Sequence, residues 1–187
     1  MEFSLVVPLF LVLFTAIIEF GFIFNATLAS SYATRDASLI AAEAGDVQGG
    51  DCVILQKIEQ DTGAPADPGS ISQVQIYWAN ATTGVPISNS TNTWTRTGST
   101  TCSVQGVSVT VPYTLSLPEQ YKADDRCNIL AGCGVDSVGR NHPGVDTIGV
   151  SVTYNYKWHT PLSSLLGWVG NGITIVRSNA MRMEPVL

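Results

Sequence analysis

A run of apolar residues from Phe3 to Phe24 leaves this chain very few ways to fold. Only Ser4, Thr15 and Glu19 interrupt it, and it contains no Lys or Arg. At a rise of ~1.5 Å per residue, the run reaches across a hydrocarbon core of ~30 Å. It is too long for the apolar region of a signal peptide, no basic segment precedes it, and no small-residue cleavage site directly follows it. Asn25 to Ala44 then contains no Gly and no Pro, and Gly45 supplies a stop. The sequence therefore predicts one long helix over residues 1–44. Its first half can sit in lipid and its second half stands in water.

The water-side half has a periodic face. Ala26, Ala29, Ala33, Ala37, Ile40 and Ala44 recur at steps of three and four. Such small residues let a sheet or another helix approach the backbone closely. Two partners are open: the chain's own globular domain, or a helix of a neighbouring subunit. Both can hold at once.

Glu2 and Glu19 stand out, because an ionisable side chain at membrane depth costs a few kcal/mol and usually has a partner or a purpose. They lie 17 residues apart in the sequence, roughly 25 Å along a helix. In the plainer reading each carboxylate sits at its own membrane interface. In the functional one Glu2 pairs with the N-terminal amine of a neighbouring copy. Pro8 removes one helix hydrogen bond and can kink or loosen the first turns.

Together Glu2-Phe3, Pro8 and Glu19-Phe20-Gly21 resemble the start of the TadE-like pilin family. These are minor pilins or pseudopilins of tight-adherence pili, within the type IV filament superfamily. Ala33-Thr34-Arg35-Asp36-Ala37 falls where that family has a small-residue, Arg-containing helix segment. Thr160-Pro161-Leu162, Gly172-Ile173-Thr174 and Ala180-Met181-Arg182-Met183-Glu184 resemble the family's close. The resemblance implies an assembly role for Met1, Glu2, Phe3, Pro8 and Glu19. It also implies a prepilin peptidase and a pilus-assembly machinery as partners. Family members are made with a short basic leader ending in Gly, and their Glu lies a few residues inside the mature chain. Here Glu is second, and the sequence is expected to be the processed chain.

About 140 residues follow the helix, enough for one domain with its own core. The formal net charge is -6, and the nine Lys and Arg are scattered from Arg35 to Arg182, so the chain has no clustered basic footprint for nucleic acid. Sparse charge with abundant Ser, Thr, Asn and Gly suits a secreted surface. The four cysteines, Cys52, Cys102, Cys127 and Cys133, form an even set on the outer side of a membrane anchor. Cys127 and Cys133 close a short loop and are expected to pair, which assigns Cys52 to Cys102. The rival is a zinc site, but no C-x-x-C occurs and neither His142 nor His159 lies at finger spacing from a cysteine.

Along the chain, Cys52 to Ile58 reads as a first strand and Asp61 to Ser70 as a loop. Ile71 to Ala79 alternates as a half-buried strand. Asn80 to Thr101 is polar and low in complexity, and reads as an exposed connection or loose hairpin. Val104 to Leu117 reads as one long strand, with Pro112 at an edge or bend. Pro118 to Gly144 is irregular. Thr147 to Trp158 is the cleanest strand, with Ile148, Val150, Val152, Tyr154, Tyr156 and Trp158 on one face. Leu162 to Val169 suits a short helix, and Gly172 to Met183 a last strand. The expected fold is α+β: a long N-terminal helix packed on a single antiparallel sheet of four to five strands, the pilin-like arrangement that the resemblance also implies. Residues 1–44 form the membrane and filament-core helix, and residues 45–187 an extracellular β-rich domain.

No catalytic motif is present, so the chain is read as a non-enzyme without a cofactor. Asp124, Asp125, Asp136 and Asp146 do not have the spacing of an EF-hand and are taken as solvated loop acids. The aromatic row Tyr154, Tyr156 and Trp158 is read as core. Asn80, Asn89 and Asn25 each begin an Asn-x-Thr acceptor pattern for glycans; Asn80 and Asn89 are the candidates, being in the globular part. The function expected is a structural pilin. It would rest in the cytoplasmic (inner) membrane, then polymerise through its helix into a helical homo-oligomeric surface filament for attachment. The alternatives are a single-pass anchored adhesion protein or minor tip pseudopilin, and, last, an anchored enzyme. The uninterrupted water-side helix favours the first, because a plain anchor needs no such extension.

Overall fold

The computed structural model describes residues 2–116, 118–160, 170 and 172–185. The expectations for Met1, for the Glu2 side chain and for a helix over Leu162 to Val169 lie outside the described residues.

Helix α1 spans Glu2–Ala44 and passes through Pro8 without a break. Past residue 24 its buried positions are Ala26, Ser30, Ala33, Thr34, Ala37, Ser38, Ala41 and Ala42, which form one helical face. Every one is small, so the helix lies close on the sheet. The buried hydroxyls are satisfied within the helix: Ser30 donates to the Ala26 carbonyl at 2.8 Å and Ser38 to that of Arg35 at 2.7 Å. The alanine stripe therefore covers the chain's own domain. Ala33 and Ala37 are fully enclosed by it, while Ala29, Ile40 and Ala44 are partly covered.

Residues Cys52 to Ile58 belong not to a strand but to a second helix, α2, Gly50–Asp61. Its buried residues Asp51, Cys52, Ile54, Leu55 and Ile58 keep helical spacing. The apolar run CVIL fits a strand and a buried helix equally well. What decides is the company it keeps: Gly49 in the left-handed conformation before it and the helix-forming QKIEQ after it. Packed against α1, α2 brings Ile54, Leu55 and Ile58 into the core, each contributing roughly 1.5–3 kcal/mol.

Among the described residues that follow lie nine strands: β1 Ile71–Ala79, β2 Pro86–Thr95, β3 Thr100–Val104, β4 Val107–Val111, β5 Thr114–Leu115, β6 Gly134–Val135, β7 Asn141–His142, β8 Thr147–Lys157 and β9 Gly172–Arg182. Five of them make the main antiparallel sheet, in the order β5-β2-β1-β8-β9. This is the α+β arrangement expected. β1, β8 and β9 lie where the sequence places strands.

Two expectations are corrected. The stretch Asn80 to Thr101 is not an exposed connection; it contains β2, paired with β1 from Gln73↔Thr95 to Ala79↔Pro86. Its inward residues are Ser90, Asn92 and Trp94, so two of three are polar and the alternation carries no hydrophobic signal. Val104 to Leu117 is not one strand either. The pair Gln105-Gly106, both at positive φ, makes a tight hairpin turn between β3 and β4, and the chain bends again before β5. Cys102 on β3 stands at disulfide distance from Cys52 on α2, with the Cα atoms 6.1 Å apart. Cys127 and Cys133 are likewise paired, with Cα atoms 5.5 Å apart.

The sheet's inner face meets α1 through β8 and β9, and turns Val74, Ile76, Ile148, Val150, Val152 and Ile175 into the shared core. The register lines up its outer face in rows. Thr95, Gln73, Thr153 and Val176 form one row; Thr93, Gln75, Ser151 and Ser178 form the next; Thr91, Tyr77, Gly149 and Ala180 form the third. None of the twelve carries a charge. β8 is less one-sided than its alternation suggests, because Gly149 and Ser151 are also buried. The Tyr77 ring lies on Gly149, where any side chain would collide with it.

Candidate functional site

The first half of α1 is bare. Phe3, Leu9, Phe10, Leu11, Leu13, Phe14 and Ile17 are all more than half exposed, and α1 is long and apolar enough to cross a membrane. Pro8 lies in this segment, and Phe3 is 80% exposed. The apolar band does not stop where the domain begins. Phe20, Phe24, Leu28, Tyr32 and Leu39 stay exposed on the side of α1 away from the sheet.

Glu19 sits where the two halves meet, folded against the domain and 2% exposed. It accepts hydrogen bonds from the Tyr156 hydroxyl, from the His159 backbone N–H at 3.1 Å and from the Thr160 backbone N–H at 2.8 Å. A carboxylate with three donors is satisfied and can be buried. His159 Nδ1 is 3.1 Å from the Tyr156 hydroxyl, and the His159 ring rests against Phe22. Burial, and then the adjacent carboxylate, push the Tyr156 phenol above its ordinary range. The contact latches the end of β8 to α1. Tyr156 of the aromatic row is thus both core and latch.

Glu19→Ala is expected to strand three donors, the buried Tyr156 hydroxyl and the part-buried His159 and Thr160 amides. That should lower domain stability by about 1–3 kcal/mol and speed hydrogen exchange at the His159 and Thr160 amides. Glu19→Gln keeps an acceptor and should do less. Unchanged exchange in the alanine variant would refute the latch.

Two further polar networks lie inside the domain. The Arg126 guanidinium is fully buried and paired with Asp51 of α2, and it stacks over Tyr121. Asn92 ties this pair to the sheet. Its Nδ2 donates to Asp51 at 3.1 Å and to the Tyr121 carbonyl at 2.8 Å, and its Oδ1 accepts from the Gln120 and Tyr121 amides. Trp94 Nε1 also donates to Asp51. Burial and the nearby Asp51 charge raise the Glu119 carboxyl above its usual range. Asp51→Ala would leave a buried guanidinium without its counter-charge, so a loss of about 3–5 kcal/mol is expected in chemical denaturation. A denaturation midpoint matching the parent's would refute it.

The second network corrects the reading of Asp136 and Asp146 as solvated acids. His142 is 1% exposed and lies between them, Nδ1 2.7 Å from Asp146 and Nε2 3.2 Å from Asp136. The Trp78 ring stacks on it at 4.0 Å. Tyr121 and the Cys127 amide donate to Asp146, so the disulfide loop is pinned to the sheet. Burial alone would raise Asp136; donors from Arg140, His142 and Val138 outweigh it and hold the carboxyl at about 2. Asp124 and Asp125 stay at the surface side of this loop, Asp125 accepting from Ser137. Among the described residues no group of His, Cys, Asp and Glu is arranged to hold a metal ion.

Asn80 lies in the exposed turn between β1 and β2, whereas Asn89 lies within β2 at φ 58°.

Residues 1–39 match the model of the TadE-like protein family. The resemblance seen at the N-terminus of the sequence is thus shown for α1; the C-terminal one, Thr160 to Glu184, lies outside the matched segment. No curated protein matches the chain, and no solved structure does. The match and the apolar N-terminal helix fit a pilus-related protein.

Proposed function

We propose that this chain is a structural pilin subunit. It is held in the cytoplasmic membrane by the first half of α1 until it polymerises, through the same helix, into a helical surface filament. The single observation that carries this reading is the exposed apolar band on α1. From Phe3 to Ile18 lipid could cover it. From Phe20 to Leu39 it runs alongside the domain, where a plain anchor would leave Phe20, Phe24, Leu28, Tyr32 and Leu39 facing water. Each such side chain gains roughly 1.5–3 kcal/mol from burial. A bundle of parallel copies covers both parts of the band at once. Such a filament would be a homo-oligomer on the outer surface and would serve attachment. Paired cysteines fit that compartment, with Cys52–Cys102 closing the longer loop and contributing about 2–4 kcal/mol.

Electron microscopy of surface material containing the chain tests this. Filaments with a regular helical repeat are expected, and peptide mapping should find Cys52 joined to Cys102 and Cys127 to Cys133. A chain found only as dispersed, membrane-anchored copies would overturn the filament.

A further inference from the structure

We propose that Asn80 is the acceptor of an N-linked glycan and that the sugar next to the chain lies in the groove beside it. The proposal rests on the extracellular reading above. Three Asn-x-Thr patterns occur in the chain, and the fold separates them. Asn25-Ala26-Thr27 is wound into α1, with Ala26 buried against the sheet. In Asn89-Ser90-Thr91 the middle residue is fully buried, its hydroxyl bonded to the Ile87 and Trp78 carbonyls. Thr91 is paired with Tyr77, and the Asn89 carbonyl accepts from Arg140 at 2.7 Å. Neither segment can leave its place without breaking core contacts.

Asn80-Ala81-Thr82 is different: all three residues are exposed. The Asn80 Oδ1 accepts from the Thr82 and Thr83 amides at 2.9 and 3.1 Å. The side-chain oxygen is thereby fixed inward, while Nδ2 has no hydrogen-bond partner among the described residues. That nitrogen is the atom that would react. It would attack the anomeric carbon of a sugar carried on a lipid pyrophosphate. The new N–C bond forms as the anomeric C–O bond breaks, the lipid pyrophosphate leaves with the electron pair, and one amide proton passes to a base. No oxidant or reductant is needed.

The surroundings fit a neutral sugar. A groove of about 360 Å³ runs from Asn80 along Thr83, Tyr77, Thr147, Ser178 and Asn179. Its walls offer hydroxyl groups and no charged side chain, the Asn179 amide being turned to Ser38 on the other face. It opens onto the three uncharged rows of the sheet's outer face, with Arg182 opposite Thr147 at its edge. That chemistry pairs with sugar hydroxyls, which both give and accept hydrogen bonds.

The test uses the chain taken from surface material of its native host. Its intact mass should exceed the 19.9 kDa of the sequence by whole sugar residues. Peptide sequencing should place the sugar on Asn80, with Asn25 and Asn89 bare. Asn80→Gln and Thr82→Ala should each abolish the added mass and leave both disulfides formed. Nuclear Overhauser contacts from the first sugar to Ser178 or Ala180 are expected; a sugar touching only Asn80 would overturn its place in the groove. Filaments with paired cysteines but a chain at its sequence mass, or with sugar confined to Asn89 or Asn25, would overturn the acceptor assignment and leave the filament reading standing. Free thiols and no filaments would overturn both.

Discussion

Val152→Asp is expected to abolish the folded domain. Val152 is fully buried at the centre of β8, level with Val74 of β1 and Arg177 of β9. A carboxylate there would be out of water in the apolar layer under α1, while the guanidinium of the neighbouring Arg177 is exposed to solvent. Burial of an unpaired charge costs several kcal/mol and more, against a total stability of about 5–15 kcal/mol for a domain. The next residue is the control. Thr153 faces the outer side and is half-exposed, so Thr153→Asp should cost less than about 1 kcal/mol. Circular dichroism melts of the two variants read the difference. Equal damage from both would mean that the outer face at Thr153 is packed as tightly as the inner one.

Loss of filaments is expected from Glu2→Ala, with membrane insertion unchanged. Apolar contact between copies of α1 is ample to hold a polymer, but it is not directional and sets no stagger. A carboxylate can set it, because left unpaired in an apolar bundle it costs several kcal/mol while a paired one does not. Glu2 is placed at the helix start, and the N-terminal amine of an adjacent copy is the proposed partner. Glu19 is committed to its own domain through Tyr156, His159 and Thr160, so Glu19→Ala should weaken the domain's footing more than it disturbs register. Membrane fractionation and filament counts check both variants. Normal filaments from the Glu2 variant would refute the register role.

Most of the scaffold was legible because burial there is apolar and periodic. The water-side half of α1, β1 and β8 each show a period of 3.6 or 2 in their hydrophobic residues, whereas β9 buries Ile175 alone. Two of the misses involve inward polar groups: β2 turns Ser90 and Asn92 inward and α2 turns Asp51 inward, and Asn92 and Asp51 serve a buried network whose other members are far along the chain. Asn92 meets Tyr121, and Asp51 meets Arg126. No local pattern announces such pairs. Asp136 and Asp146 look like loop acids because their stretch has no regular period, although their shared partner His142 lies between them in the sequence. Glu19 did carry a usable signal. It falls in phase with Ala26 and Ala33, seven residues apart in each step, and so on the face that meets the domain. A carboxylate in that phase needs donors from the domain itself.

The latch at Glu19 also shapes how the molecule takes load. α1 is tied to the domain at its foot by Glu19, midway by Asn179 on Ser38, and near its top where the Glu184 amide donates to the Ala42 carbonyl. A pull along the helix axis therefore strains all three ties together, in shear, instead of peeling them off in turn. The domain and the upper helix are thereby expected to respond as one strut, while below residue 19 no hydrogen bond ties the helix to the domain among the described residues.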